Sequence, residues 1–353
     1  MNYKETIDKL MDTVIKENGS DLHLSAGSHP IIRVDDALIP LQTSPELRPE
    51  DTRGFLKALV NETQLASFEE EQELDFSYDH KEKARFRGNA FFQQGKISVA
   101  LRFIPGVIKS LTELNLPDIL TTFTQQKQGF FLVVGPVGQG KTTTLASMIE
   151  LINGERSEHI ITIEDPIEYM FENKKSIINQ REVRVDTQSF HAGLMSAFRE
   201  DVDVIMLGEM RDLNTISAAV TAAETGHLVF STLHTNDAAQ TIDRIIDSFP
   251  PEQQGQIRLQ LSGSLSGIFS QRLVPRISGG LIPAYELLIK NNAVANLIRE
   301  ARTHEIQTVI ETSSESGMID MNRSLSDLVR RGEISPEDAF AFAVDPAALE
   351  RLL

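Results

Sequence analysis

The sequence predicts an α/β fold: a parallel-sheet domain preceded by a small α+β domain and followed by a mainly helical C-terminal region. Three observations carry that prediction. From Gly129 onward short apolar runs, "FFLVVG", "HIITIEDP", "DVIMLGE" and "GHLVFSTLH", alternate with helical patterns. Strands apolar on both faces that alternate with helices form a parallel sheet covered on both sides. The first hundred residues instead hold short strand-like segments separated by turn residues. Finally, the glycine-rich "GPVGQGKTTT", Gly135–Thr144, stands between a buried strand and the helical "LASMIELI".

Taken in order, residues 3–17 place Ile7, Leu10, Met11, Val14 and Ile15 at spacings of three and four, an amphipathic helix ended by "ENGSD". "DLHLS", "HPIIRVDD" and "ALIPL" read as short strands, Glu50–Ser67 as helix, and "LDFSYDH", "ARFRGNAFFQQG" and "KISVALRFIP" as a strand-rich meander. Residues 1–105 are therefore expected to form the first domain. Residues 106–118 are expected as a linker, 119–275 as the parallel-sheet core and 276–353 as the helical region. Within that last region Ser335, Pro336 and Asp338 make a good helix start, serine capping and proline suiting the first turn.

The totals exclude several classes of function. A chain of 353 residues has room for two domains with proper cores. There is no cysteine, which removes disulfides, thiol nucleophiles and cysteine-ligated zinc. A net charge of −17 repels nucleic acid and anionic lipid, so no nucleic-acid partner is expected. No window of 18 uninterrupted apolar residues and no signal-type apolar core occur, and a cytoplasmic or peripheral protein is expected.

Gly135-x-x-x-x-Gly140-Lys141-Thr142 matches the phosphate-binding loop in full. Its glycines let successive N–H groups of Gly135, Pro136, Val137, Gly138, Gln139 and Gly140 wrap a phosphate, apart from the proline, which has none. The following helix adds the positive end of its dipole. Lys141 is expected on the β and γ phosphates and the Thr142 hydroxyl on Mg²⁺, with Thr143 completing the nucleotide contacts. Glu209 in "DVIMLGEMRD" and Glu164, Asp165 and Glu168 in "ITIEDPIEY" stand at strand ends, where acids can hold a metal's water shell and take a proton from an attacking water. His227 and His234, seven residues apart at the two ends of one strand run in "TGHLVFSTLHTND", are both candidate catalytic residues.

These segments, in this order, resemble the secretion ATPase superfamily: "GPVGQGKTTTLA" its Walker A, "ITIEDPIEY" its Asp box, "REDVDVIMLGEMRD" its Walker B and "TAAETGHLVFSTLHTNDAAQTIDRIIDSFP" its His box. Within it the chain is most similar to the PilT, or twitching motility, family of type IV pilus retraction ATPases, from "GSDLHLSAGSHPIIRVDD" to "GMIDMNRSLSDLVRRGEISPEDA". The resemblance implies a PAS-like N-terminal domain, a RecA-like ATPase domain and a homohexameric ring that hydrolyses ATP with Mg²⁺. It implies action on an inner-membrane pilus platform protein from the cytoplasmic face, with membrane contact through that partner only. It assigns Arg87 and Arg102 to a neighbouring subunit's γ phosphate, with Arg199 a further interface candidate. Glu209 becomes the Mg²⁺ ligand beside Thr142, Glu164 the group that polarises water with Glu168 in support, and His234 a γ-phosphate sensor. Which of Glu164 and Glu209 is the general base stays open.

The chain departs from the family in places. Val137 and Gln139 replace the hydroxyl residues of "GPTGSGK", and Ala295 replaces the first arginine of "AIRNLIRE". Three other readings compete with a main retraction motor. The first is an accessory retraction paralogue. The second is a pilus-assembly or type II secretion ATPase, whose usual longer N-terminal region and four-cysteine zinc element are missing here. The third, from a different class, is a nucleotide-binding regulator without turnover.

Overall fold

A computed structural model describes all residues except Met1, Asp35, Asp36, Glu82, Lys83 and Pro105. The boundary expected at residue 105, and the end of "HPIIRVDD", lie outside the described residues. The chain forms two compact units, Met1–Val107 with Pro166–Met170, and Ile108–Asp165 with Phe171–Leu353. The short Asp-box segment that contains Glu168 thus groups with the first unit, although the sequence suggested the second.

In the first unit the helix Tyr3–Lys16 buries Ile7, Leu10, Met11 and Val14 against an antiparallel sheet. Its strands are β1 (Asp21–Ser25), β2 (Ile31–Val34), β3 (Ala37–Pro40), β4 (Glu73–His80), β5 (Ala84–Gln93) and β6 (Lys96–Ile104), in the order β3-β2-β1-β6-β5-β4. The helix expected over 50–67 is two helices, Pro49–Leu59 and Glu62–Glu71. Asn61 separates them, because its side chain accepts from the Gln64 N–H at 2.8 Å while the Gln64 side chain accepts from the Asn61 N–H at 3.0 Å. That reciprocal pair is a helix start signal in mid-pattern.

The second unit is built on a seven-stranded sheet of β7 (Gly129–Val134), β8 (His159–Glu164), β9 (Ile177–Glu182), β10 (Val204–Leu207), β11 (Leu228–Leu233), β12 (Leu265–Pro275) and β13 (Leu281–Ile289). The order is β13-β12-β7-β11-β10-β8-β9. Residues of β7, β10 and β11 are buried throughout, which is why they read as unbroken apolar runs. The sheet is mixed, not wholly parallel: β12 runs parallel to β7, and β13 returns antiparallel to β12. The chain after Pro275 is therefore helical only after this strand, from Asn292 onward. There Ala295 is buried on the helix Asn292–Arg299.

Candidate functional site

Strand order decides which residues meet. β7, β11, β10 and β8 are adjacent and parallel, so their carboxyl ends open on one edge of the sheet. Ligand sites of open α/β sheets lie along that edge. β7 delivers the phosphate-binding loop, β11 delivers His234, β10 delivers Gly208 and Glu209, and β8 delivers Glu164.

The loop has the backbone its glycines predict. Gly135, Gly138 and Gly140 have φ of 145°, 79° and 76°, conformations that a side chain strains. Gly140 is the N-cap of the helix Lys141–Glu155, which therefore starts at the catalytic-type lysine. Lys141 is buried, and its Nζ donates to the carbonyls of Gly135 and Pro136, at 2.7 Å each. The same Nζ lies 3.4 Å from His234 Nδ1. An ammonium only donates, so Nδ1 accepts and the imidazole proton sits on Nε2. That nitrogen faces Glu209 Oε2 at 3.6 Å. Burial, then the Lys141 charge, hold the His234 pKa below its ordinary value, favouring the neutral ring.

Glu209 is held from its other side by Arg211, Nη2 to Oε1 at 2.5 Å. The carboxylate bond raises the Arg211 pKa, with a further contribution from the charge of Asp165. Lys141, His234, Glu209 and Arg211 so form one line of alternating donors and acceptors along the strand ends. Glu164 is buried beside it, accepting from Thr162 Oγ1 at 2.6 Å and from Gln180 Nε2 at 3.3 Å. The Thr232 hydroxyl donates to the Gly208 carbonyl at 2.6 Å, fastening the end of β11 to that of β10. A cavity of about 220 Å³ opens beside the loop, lined among others by Lys109, Leu116, Gly140, Thr143, Gln271 and Pro283.

Other expected residues lie elsewhere. His227 precedes β11 at the amino edge, where Nδ1 lies 3.0 Å from the Ala222 carbonyl and the ring packs edge-on against Phe198. At about 3.3 Å per residue, a strand of six residues puts the two histidines some 20 Å apart. The expectation that His227 shares the reaction centre is corrected on that ground. Arg199 is exposed and donates to the Met195 carbonyl at 3.0 Å. In the first unit Arg87 and Arg102 are direct cross-strand partners on β5 and β6. Arg87 Nη1 reaches Glu168 Oε1 at 3.4 Å, and Arg102 Nε reaches Asp21 Oδ1 at 2.9 Å. Like charges directly opposite are unfavourable unless countered, and these carboxylates counter them.

Arg211 and Gln271 join this neighbourhood without having been singled out in the sequence. Arg211 stood two residues past the acid in a quoted motif. Gln271 lies far along the chain on β12 and has no local signal.

A glycine-rich loop at the end of a parallel strand, closed by a buried lysine and facing acids on neighbouring strand ends, defines a P-loop protein of the α/β class. The chain belongs to the Type II/IV secretion system protein family, whose description matches residues 2–280. It is 44% identical to the type IV pilus retraction ATPase PilT of Pseudomonas aeruginosa over 333 residues, 94% of this chain and 96% of that one. Identity to the type IV pilus ATPase PilU of the same organism is 40%, over 95% of this chain and 88% of PilU. The fold matches a crystal structure of the pilus retraction motor PilT with bound ADP at a TM-score of 0.91 and 48% identity, covering 98% of this chain and 99% of that one. The type II secretion system protein E of Aeromonas hydrophila is more distant, 33% identical over 76% of this chain.

Proposed function

We propose that the chain is an ATP-hydrolysing motor that drives type IV pilus retraction. The single observation that carries hydrolysis is the line Lys141–His234–Glu209–Arg211 at the strand ends beside the loop. Retraction, rather than assembly or export, is supported by similarity to PilT along nearly the whole of both chains.

In this reading the loop amides and the Lys141 ammonium bind the phosphates, and the neighbouring cavity takes the base. The Thr142 hydroxyl and a Glu209 oxygen suit Mg²⁺, a hard cation that keeps several waters and needs few protein ligands. Bound Mg²⁺ would neutralise charge on the phosphates. Glu164, fixed by Thr162 and Gln180, polarises the attacking water. His234 touches both the phosphate-side lysine and the acid, so its position reports what the loop holds. Arg87 and Arg102, displayed on one face of the first unit, complete the site of an adjoining subunit in a homohexamer. The ring acts from the cytoplasmic face of the inner membrane on a platform protein. No helix among the described residues is long and apolar enough to cross a membrane, so force passes through that partner.

The test is Lys141→Ala in purified full-length protein, expected to lower steady-state phosphate release by about 10³-fold, the scale set by losing one preorganised charge contact. Unchanged release would overturn the site. The 40% identity to PilU favours a second reading, a companion ATPase of the same pilus. Expression in a strain that lacks its retraction ATPases separates the two, since a main motor restores twitching by itself.

A further inference from the structure

β12 outlasts its parallel neighbour. β7 ends at Val134, paired with Ser270, whereas β12 continues to Pro275. Residues 271–275 therefore have a strand on their β13 side only, and main-chain groups there need another partner. Gln139 supplies it. Its Oε1 accepts from the Leu273 N–H at 2.7 Å, where a strand carbonyl would otherwise stand. The Gln139 main-chain carbonyl accepts from Gln271 Nε2, also at 2.7 Å. Gln271 is 3% exposed, and its Oε1 accepts from Thr144 Oγ1 at 2.6 Å. Three bonds thus join the loop and the first turn of its helix to β12.

The glycines make this closeness possible. A Cβ at Gly135 would stand 2.4 Å from the Gln271 carbonyl oxygen, and one at Gly140 would stand 3.0 Å from Gln271 Nε2. The loop is pressed against β12 at both of its ends. Gln139, directly before Gly140, ties the second of those ends.

We propose that Gln139 is a positioning residue for the nucleotide, its side-chain amide acting as a substitute strand segment that holds the phosphate loop in its binding shape. A loop already held in that shape loses less freedom on binding, which tightens nucleotide affinity without a new contact to the ligand. Serine cannot do this, because its hydroxyl ends two bonds short of the glutamine oxygen. The inference rests on reading the loop as a nucleotide site, and it assigns a task to a side chain that need not touch the nucleotide.

The test uses full-length protein with three variants: Gln139→Met, which keeps length but loses the acceptor; Gln139→Ser, a smaller second variant; and Lys141→Ala. Mg-ADP affinity is measured by calorimetry, KM and kcat by steady-state hydrolysis, and hydrogen exchange on a peptide spanning residues 271–275. Both Gln139 variants are expected to bind Mg-ADP about five- to tenfold more weakly, since one hydrogen bond is worth roughly a factor of that size. KM is expected to rise in step while kcat stays within about twofold, and the Leu273 amide to exchange faster. Affinity within twofold of the parent for whichever variant folds overturns the proposal. So does a fall in kcat with KM unmoved, or a lower Tm with affinity retained, which would mark a purely structural bond. If Lys141→Ala also binds Mg-ADP normally, the nucleotide reading of the loop fails; if it loses binding while both Gln139 variants keep theirs, only the positioning role fails.

Discussion

The two edges of the parallel sheet use similar residues for opposite work. At the amino edge side chains reach main chain: His227 lies on the Ala222 carbonyl, and Arg156, ion-paired with Glu158 at 2.7 Å, donates Nη1 to the carbonyls of Thr124 and Gln126 at 2.6 and 2.7 Å. His159 Nδ1 likewise lies 3.1 Å from the Asp201 carbonyl. At the carboxyl edge Lys141 also holds the Gly135 and Pro136 carbonyls, but from it side chains face one another, through His234 and Glu209 to Arg211. A histidine or arginine that closes a main-chain group is a staple. A histidine whose ring nitrogens face other side chains, as those of His234 do, is available for chemistry, so the edge, more than the residue type, separates the two histidines' roles.

The largest expected effect breaks the carboxyl edge. Glu164→Gln and Glu209→Gln should each lower kcat by about 10²-fold or more, the usual scale for losing acid–base or metal-water assistance. Nucleotide binding followed by calorimetry should survive in Glu164→Gln, and normal turnover there would remove its role.

Behind that edge lies a buried acid that sharpens the comparison. Glu286 on β13 is 3% exposed and accepts from the Ala238 N–H at 2.9 Å, four residues past His234. Burial pushes its pKa up from 4.5 to about 7, the carboxylates of Asp237 and Asp320 add to the rise, and the Ala238 bond and the Arg272 charge oppose it. Between those two pH values the folded chain keeps a proton that the unfolded chain releases. Stability must then fall as pH climbs through that window and level off above it, by about 3 kcal/mol in all. Glu286→Gln keeps an acceptor for Ala238 without a charge, so its chemical-denaturation free energy should lack that fall. Identical pH profiles for the two proteins would show that Glu286 ionises freely in the fold.

The smallest effect contrasts the histidines. His234→Ala should reduce kcat about tenfold, at the low end for a group that adjusts charge without transferring a proton. His227→Ala should leave kcat within about twofold and lower unfolding free energy by about 1 kcal/mol, the net value of a single hydrogen bond. A reversal of the two would overturn the division between the edges.

The strand ends that carry the site were legible because fully buried strands leave unbroken apolar runs, and the loop because its positive φ values favour glycine. The β12–β13 pair was not. "LSGIFSQRLVP" breaks its apolar run with Ser270, Gln271 and Arg272, the first two of them buried in the fold. "LIPAYELLI" holds a proline and a glutamate that argue against a central strand. β9, an edge strand ending in "NQRE", lacked an apolar signal for the same reason. The two histidines looked equivalent, because their places at the two ends of one strand run do not by themselves say which end meets the phosphate loop. Gln139 showed only as a departure from the family and Gln271 not at all, because their partnership joins residues 132 positions apart.

β11 stands between the strand that ends in the phosphate loop and the strand that ends in Glu209. With neighbouring strands about 4.8 Å apart, that insertion sets the loop and the acid roughly 10 Å from one another. The sheet thereby acts as a gauge block that sets the distance between the loop and the acid. Because Thr232 bolts β11 to Gly208, the gap cannot widen without shearing the sheet. The spacing of the two halves of the site is in this sense a property of strand order, fixed before any single side chain is chosen.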